Sequence, residues 1–511
     1  MKQVLILLFA APVIAVISCA GPLPRAPAER EPPQGQPLPR VSGEDLQPAI
    51  FDLDRQTAEA LKKINSVNAY QVPDLGLRED RIYAKTSQDV EPFRHVMPYK
   101  EHFLLQIEYT GAGRAVAEPH DINTVKIGFI GPIMSTVSVA TGGKSHEESL
   151  GIKMLQGARL AIEQANARGG YRPKKFEIRN LKFEIHGIPF EMVVTNDNGL
   201  WGSSGNEIIK MAYRDEVWAI LGTIDGANSH IAIRVALKIE IPMMNSGDTD
   251  PTFIETNIPW VFRCIGDDRQ QSYLLVDYIY RTLKLNRVGI IRASNRYGRF
   301  GVRKINDGSR RMGHPIILEM AYNLGTTDFS LQLERLKAEN LDAIVHWGDA
   351  RDGAVILNQM RAMGMQQPYF ACDRCVSDEF VQVAGPNAEG VICAYPWDPT
   401  SENPRLEQFH KDFRERFGQE PETYAAHAYD GMNMLIWAVQ AAGLNRAKIR
   451  DILAYRAKPW NGVTGDIVLS ACHDDVGEVY LARRENGRWN FYSREDLKIP
   501  RGYIRPRDSN E

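Results

Sequence analysis

The chain has 511 residues, 43% hydrophobic and 24% charged, an ordinary globular composition long enough for about two to four domains. Its 61 Lys and Arg nearly balance 64 Asp and Glu, for a formal net charge of -3. That balance gives no electrostatic reason to expect nucleic acid or an anionic membrane surface as a partner.

Residues 1–19 differ from the rest. Lys2 precedes an apolar run over 4–17 that is too short for a good membrane span and reads as a signal peptide. The tetrad Val16-Ile17-Ser18-Cys19 is similar to the bacterial lipobox, so Cys19 is expected to carry lipid and to begin an extracytoplasmic, membrane-anchored chain. No other stretch is long and apolar enough to span a bilayer, which leaves the lipid as the expected anchor. Residues 20–43 are Pro-rich and predict a semi-rigid extended tether. Residues 44–121 show helical spacing in two places, Leu46, Ile50, Leu53, Ala58 and Leu61, then Phe93, Val96, Tyr99, Phe103 and Ile107. They predict a helical extension packed on the main body.

From residue 124 strand and helix patterns alternate. Strands are expected at 124–130, 182–185 and 191–195, with an amphipathic helix at 151–168 whose face carries Ile152, Leu155, Ala158, Ile162 and Ala165. In 217–251 a short apolar run precedes a helix bearing Ile231, Val235 and Leu237, with Asn228 or Ser229 as its cap. A second apolar run at 239–244 completes a βαβ unit with parallel strands. The loops 223–228 and 245–250 then leave the same carboxyl edge, rich in Gly, Ser, Thr, Asn and Asp, and predict half of a ligand cleft. Further strands are expected at 260–264, 288–292, 316–321, 343–347 and 369–371, with helices at 270–285, to about 312, and at 328–339 and 354–363. Two such runs, 124–264 and 288–393, predict an α/β protein of two doubly wound parallel-sheet lobes. The tail changes to helices at 409–417 and 425–442, then antiparallel strands at 465–469, 478–483 and 488–492 with a turn at Asn486-Gly487.

Few motifs carry bond chemistry. TGGKS at 141–145 has Ser138 where a phosphate loop needs its first Gly, so nucleotide binding is not expected. Cys372-Asp373-Arg374-Cys375 is a single CxxC, a weak zinc signal without a second pair. A local disulfide or two thiols is the plain alternative; for a metal or redox role, His346 is the neighbour to consider. Lipidation of Cys19 leaves Cys264, Cys372, Cys375, Cys393 and Cys472, an odd number, so at least one is free unless pairing is intermolecular. No GxSxG, HExxH or calcium loop is present, and no carboxylate pair is marked by its spacing as acid and base. Neither an enzyme nor a bound cofactor or metal is the expectation.

The ordered segments VKIGFIGPI, GARLAIEQANARGG, AILGTIDGANS, IPMMNSGDTDP, VGIIRASNRYGRFG, TDFSLQLERLKAENLDAIV, ILNQMRAMGM, AEGVICAYP and YAAHAYDGMNML carry a resemblance. From 124 to about 469 the chain resembles the type I periplasmic solute-binding proteins of the branched-chain amino acid (Leu/Ile/Val) transporters. The resemblance implies two lobes joined by three crossings, lobe 1 at 122–266 and 396–465, lobe 2 at 267–395 and 466–500, with a tail at 501–511. It further implies hinge closure on a small polar solute, an amino acid, amide or relative, and delivery to an ABC permease and ATPase. A sensory receptor that signals through a partner docked on the extension is the alternative, as is a redox or metal protein built on Cys372 and Cys375.

The resemblance also implies ligand contacts. The first-lobe loops place Gly226, Ala227, Asn228, Gly247 and Thr249 in the cleft, with Gly226 where a Ser is usual. Tyr297 keeps a cleft aromatic. Asp349 stands where the branched-chain binders use an aromatic, and Arg374 where they use a Glu for the ligand ammonium. That exchange reverses the charge at one end of the cleft. Either Asp349 or Asp373 supplies the missing acid, or a ligand carboxylate pairs with Arg374; alternatively Arg374 pairs with Asp349 or Asp373 and meets no ligand. Trp201, Ser203 and Ser204 are candidates for a cleft wall or lie in an ordinary surface loop, and Trp347 is a candidate stacking partner or a buried sheet-end residue.

Overall fold

The computed structural model describes residues 107–119, 121–136, 145–173, 187–456 and 458–499. The expected signal peptide with Cys19, the tether, most of the extension, most of TGGKS, the strand at 182–185 and the tail lie outside the described residues. Among the described residues no helix is long and apolar enough to cross a membrane.

Apolar runs that can be covered on both faces become parallel strands. In the first half these are β1 (Val125–Gly131), β4 (Phe190–Asn196), β5 (Ile220–Leu221), β6 (Met243–Asn245) and β7 (Val261–Arg263), while β2 (Met134–Thr136) and β3 (Ser145–Glu147) form a small hairpin. They alternate with α1 (Ser149–Ala167), α2 (Trp201–Tyr213) and α3 (Gly226–Ile239). The sheet runs β4-β1-β5-β6-β7, every pairing parallel. After α4 (Asp268–Asp277) the pattern repeats with β8 (Val288–Ala293), α5 (Arg296–Arg311), β9 (Leu318–Tyr322), α6 (Ser330–Ala338), β10 (Ala343–Trp347), α7 (Ala350–Ala362), β11 (Tyr369–Ala371), α8 (Asp378–Ala384) and β12 (Ile392–Tyr395). The chain continues through α9 (Pro404–Phe417), α10 (Thr423–Ala442), α11 (Arg446–Ala454), the two-stranded pair β13 (Trp460–Asn461) and β14 (Asp466–Ile467), then β15 (Tyr480–Glu485) and β16 (Arg488–Tyr492).

The second sheet runs β16-β15-β12-β11-β10-β8-β9. Its parallel part, β9-β8-β10-β11-β12, has the order of the first sheet, second-first-third-fourth-fifth. The two doubly wound lobes are therefore copies in topology. β15 and β16 add antiparallel strands at one edge, joined by the predicted turn at Asn486-Gly487. The chain crosses between lobes after β7, after β12 and before β15. α10 returns to the first lobe and lies against α1, so close that a Cβ on Gly157 would collide with the Ala425 carbonyl.

Several expectations need correction. Helix α3 starts at Gly226 with Asp225 at its cap position, not at Asn228 or Ser229. The Ser229 hydroxyl is committed instead to Thr223 Oγ1 at 2.6 Å. The strand expected at 239–244 is only Met243–Asn245, because Ile239 still belongs to the helix. The helix expected at 270–285 is regular only to Asp277 and ends in a wider turn, Tyr278–Thr282. The region of Trp201, Ser203 and Ser204 is a full helix, α2, with Ser204 buried. At the end of the extension Ile107 is not helical; residues 107–119 run along the first lobe and bury Tyr109 edge-on against Trp260.

The third crossing lies later than expected. Residues 466–475 belong with the first lobe, not the second, because Ile467 and Leu469 pack into the first-lobe core and His473 stacks on Phe262 at 4.4 Å.

Candidate ligand cleft

In an open parallel sheet a ligand site forms where adjacent loops diverge beyond the carboxyl ends of the strands. Here those points fall between β1 and β5 in one lobe and between β8 and β10 in the other. The loops that follow, carrying Thr223 to Gly226, Ser294 to Tyr297 and Gly348-Asp349, approach one another across the gap.

Asx geometry fixes the first-lobe side. Asn245 Oδ1 accepts from the amides of Gly247 (2.9 Å) and Asp248 (2.7 Å), and its Nδ2 donates to the Thr223 carbonyl (3.2 Å). This ties the loops after β5 and β6 together. Thr249, buried at the loop tip, accepts through its carbonyl from the Asp268 amide at 2.8 Å, joining the loop to the first crossing.

On the second-lobe side, Tyr297 at the start of α5 donates to Asp373 Oδ1 at 2.5 Å, and from the first lobe Tyr424 at the start of α10 donates to Asp373 Oδ2 at 2.8 Å. Arg374 lies flat on Tyr297, its Cζ 3.8 Å from the ring centroid. Its Nη1 donates to Asp349 at 2.7 Å, and its Nη2 reaches Asp225 of the other lobe at 3.2 Å. Its Nε is buried without a hydrogen-bond partner. A second pair bridges the lobes, Arg296 Nε to Asp250 at 2.6 Å, with Arg296 Nη2 donating to Thr252 at 2.8 Å. Gly226 sits beneath it; a Cβ there would stand 2.6 Å from Asp250 Oδ2 and 2.9 Å from Arg296 Nε.

Asp268 is the group that the surroundings least satisfy. It is fully buried, and neither carboxylate oxygen meets a hydrogen-bond partner at good geometry. Burial first, and the nearby Asp373 charge second, hold its carboxyl well above the ordinary range, with the Thr249 hydroxyl the relief among its close neighbours. Its neighbour Asp267 takes the helix cap, accepting from the Gln270 amide at 2.8 Å. A buried acid beside Thr249 and Tyr297, and an arginine with one N–H unused, together suit a small molecule that carries both an N–H donor and a carboxylate.

The residues singled out in the sequence separate into two groups. Thr249, Tyr297, Asp349, Arg374 and Gly226 stand around this junction. Gly247 instead faces the lobe interior, where a Cβ would meet Met154 and Ile224, and its amide is already used by Asn245. Asn228 is buried within the first turn of α3, and Ala227 is exposed. Trp347 is buried under α5 at Gly301, so it is a sheet-end core residue. Asp225, Asp268, Arg296 and Tyr424 went unmarked in the sequence. Asp267-Asp268 opening a helix was the available signal: one aspartate caps, which leaves the other without a local task. The five described cysteines are buried free thiols, so Cys372 and Cys375 form no disulfide in the structure.

Behind the cleft, the crossings are locked by charge. Arg263, fully buried, holds Asp474 through Nε (2.7 Å) and Nη2 (2.9 Å), contacts Asp267 at 3.1 Å, and donates to the Asp250 carbonyl at 2.7 Å. The first and third crossings therefore share one guanidinium.

The comparisons agree with this fold. The Leu/Ile/Val-binding protein homolog 2 of Brucella abortus (strain 2308) is 25% identical over 353 residues, 68% of this chain and 90% of that protein. An amino acid binding protein of Pseudomonas aeruginosa is 25% identical over 331 residues, 64% of this chain and 81% of that protein. Among solved structures, a branched-chain amino acid transporter substrate-binding protein of Streptococcus pneumoniae in complex with isoleucine has a TM-score of 0.62 at 23% identity, covering 72% of this chain and 99% of that one. A solute-binding protein of R. palustris in complex with benzoate has a TM-score of 0.61 at 17% identity, covering 72% and 96%. With residues 124–487 matching its profile, the chain belongs to the periplasmic binding protein family.

Proposed function

We propose that this chain is the extracytoplasmic solute receptor of an ABC importer, held to the membrane by lipid on Cys19. It captures a small polar solute between its lobes and presents the closed form to a permease and its ATPase. The observation that carries this reading is the facing pair at the cleft, Arg374 reaching from Asp349 to Asp225 and the buried, unsatisfied Asp268 beside Thr249. An amino acid supplies both complements, a carboxylate for the guanidinium and N–H donors for Asp268, and a related amide supplies the N–H donors with a carbonyl in place of the carboxylate. The relatives named for Leu/Ile/Val binding and the isoleucine complex support an amino-acid class. The arginine in place of an ammonium-binding acid argues against an unmodified branched-chain specificity. Binding energy is spent on lobe closure, since a ligand shifts a conformational equilibrium by its differential affinity for the two forms.

A thermal-shift screen of amino acids, amides, ureas and small carboxylates tests the reading. A true ligand at about a hundred times its Kd adds about 2.7 kcal/mol of stability. Arg374→Ala and Thr249→Val are each expected to remove most of that shift. If both variants respond as the wild type does, the cleft assignment is wrong.

A further inference from the structure

Directly beneath the turn that presents Asp373 and Arg374 lies a second set of side chains that solute binding does not use. Cys372 and Cys375 bracket the turn, and His346 rises to it from β10; all three are fully buried. One donor atom from each lies within 4.8 Å of the other two. His346 Nδ1 and Cys375 Sγ are 3.6 Å apart. Zinc bonds of about 2.3 Å to sulfur and about 2.0–2.1 Å to nitrogen, at a tetrahedral angle, place such a pair about 3.6 Å apart.

The surroundings orient the imidazole. Its Nε2 is 3.0 Å from the Tyr322 hydroxyl, and the ring is stacked between Tyr322 and Tyr369, so Nδ1 is the nitrogen left facing the thiols. A fixed partner on the far nitrogen is the arrangement that orients metal-binding histidines. Room for a guest is kept by Gly353: a Cβ there would stand 2.7 Å from His346 Nδ1 and 3.0 Å from Cys375 Sγ. Cys393, on the strand paired with β11, adds another buried thiol nearby.

We propose that His346 Nδ1, Cys372 Sγ and Cys375 Sγ form a structural zinc(II) site that braces the cleft turn from behind. Two thiolates and imidazole are soft to borderline donors, which select zinc or copper(I) over magnesium or calcium. With Zn2+ the two thiolates sum to zero charge; with Cu+ a net negative charge would stay in a fully buried place, which is costly. Each thiol gives its proton to solvent as its Zn–S bond forms, so one ion enters and two protons leave. The ion closes a ring across Cys372-Asp373-Arg374-Cys375 and fixes the two cleft residues between its ligands. This holds whatever solute the cleft takes.

The test uses the full chain, purified without an affinity tag that binds metal and kept reduced with a phosphine. After exposure to Zn2+ and desalting, elemental analysis is expected to find one zinc per chain, and Co2+ in its place is expected to show a thiolate charge-transfer band. Cys375→Ala should lose the metal, and Cys264→Ala, away from the cluster, should keep it. Tyr322→Phe, which retains the ring, should keep the stoichiometry with affinity lower by about 10- to 100-fold. Should Cys375→Ala fail to fold, protection of Cys372 and Cys375 from alkylation by Zn2+ in the wild type gives the same answer. Reduced wild type that retains no zinc, cobalt bound without the thiolate band, or a Cys372–Cys375 disulfide in protein taken from the cell envelope would each overturn the proposal.

Discussion

Asp268 illustrates how one side chain is left for a ligand. A carboxyl removed from water needs a partner, and the chain gives the cap role to Asp267 and nothing of full strength to Asp268. Without solute, burial and then the Asp373 charge raise its carboxyl well above the ordinary range, which favours the protonated form. Asp268→Asn, close in shape to the protonated acid, should therefore change ligand-free stability by less than about 1 kcal/mol while abolishing the solute-induced shift. Urea unfolding and thermal shift on the same preparation separate the two effects; an intact shift would remove Asp268 from the site. Asp475 makes a different case. It accepts from the amides of Val468 (3.0 Å) and Gly477 (2.9 Å), yet burial dominates and pushes its carboxyl up to about 7. The folded state thus holds this proton more tightly than the unfolded chain. Its contribution is full below the unfolded value of about 3.8 and is lost as pH rises through about 7. Between pH 5 and 8 the wild type should lose on the order of 2 kcal/mol more than Asp475→Asn, measured as urea midpoints at each pH.

At the scale of elements, the first and third crossings meet on a buried ion network. Arg263 ends β7, Asp267 caps α4 and Asp474 precedes the third crossing, so three separate segments meet on one guanidinium. Removing that charge leaves the two buried carboxylates, among the described residues, with Arg269 alone as ion-pair partner, 3.2 Å from Asp267 and 3.8 Å from Asp474. Arg263→Ala should cost about 3–5 kcal/mol of unfolding free energy. Asp474→Asn should cost less, because Arg263 keeps Asp267 and two backbone carbonyls. Equal costs in urea unfolding would mean that the network does not act as described.

For the whole molecule, the ion pairs that span the lobes include Arg374–Asp225, Arg296–Asp250 and Lys304–Glu255. Asp225 is 41% exposed, so the first pair is screened by solvent and is worth about 0.2–1 kcal/mol. Asp225→Asn should weaken solute binding only about 1.4- to 5-fold through a less stable closed form, far less than Arg374→Ala. A loss as large as that of the arginine variant would place Asp225 in direct contact with the solute instead.

The repeated strand-helix alternation was legible because each core strand is an apolar run and each helix has a 3.6-residue stripe, both local patterns. β10 and β11 have the bounds their runs suggest, and the two sheets share one strand order. Local pattern could not say that 466–475 stays with the first lobe, since that rests on Arg263, Phe262 and their distant partners. Nor could it tell which acids converge. Arg374 stood out as a charge reversal, but its partner Asp225 lies 149 residues away, and Asp268 is distinctive only for what fails to reach it. Sequence by itself determined the main strand-helix alternation and its order, though not α2, α8 or α11, because periodicity and turn chemistry act over a few residues. Only the tertiary structure decided which polar groups were left unsatisfied in a shared cleft, because that depends on every neighbour folding brings near.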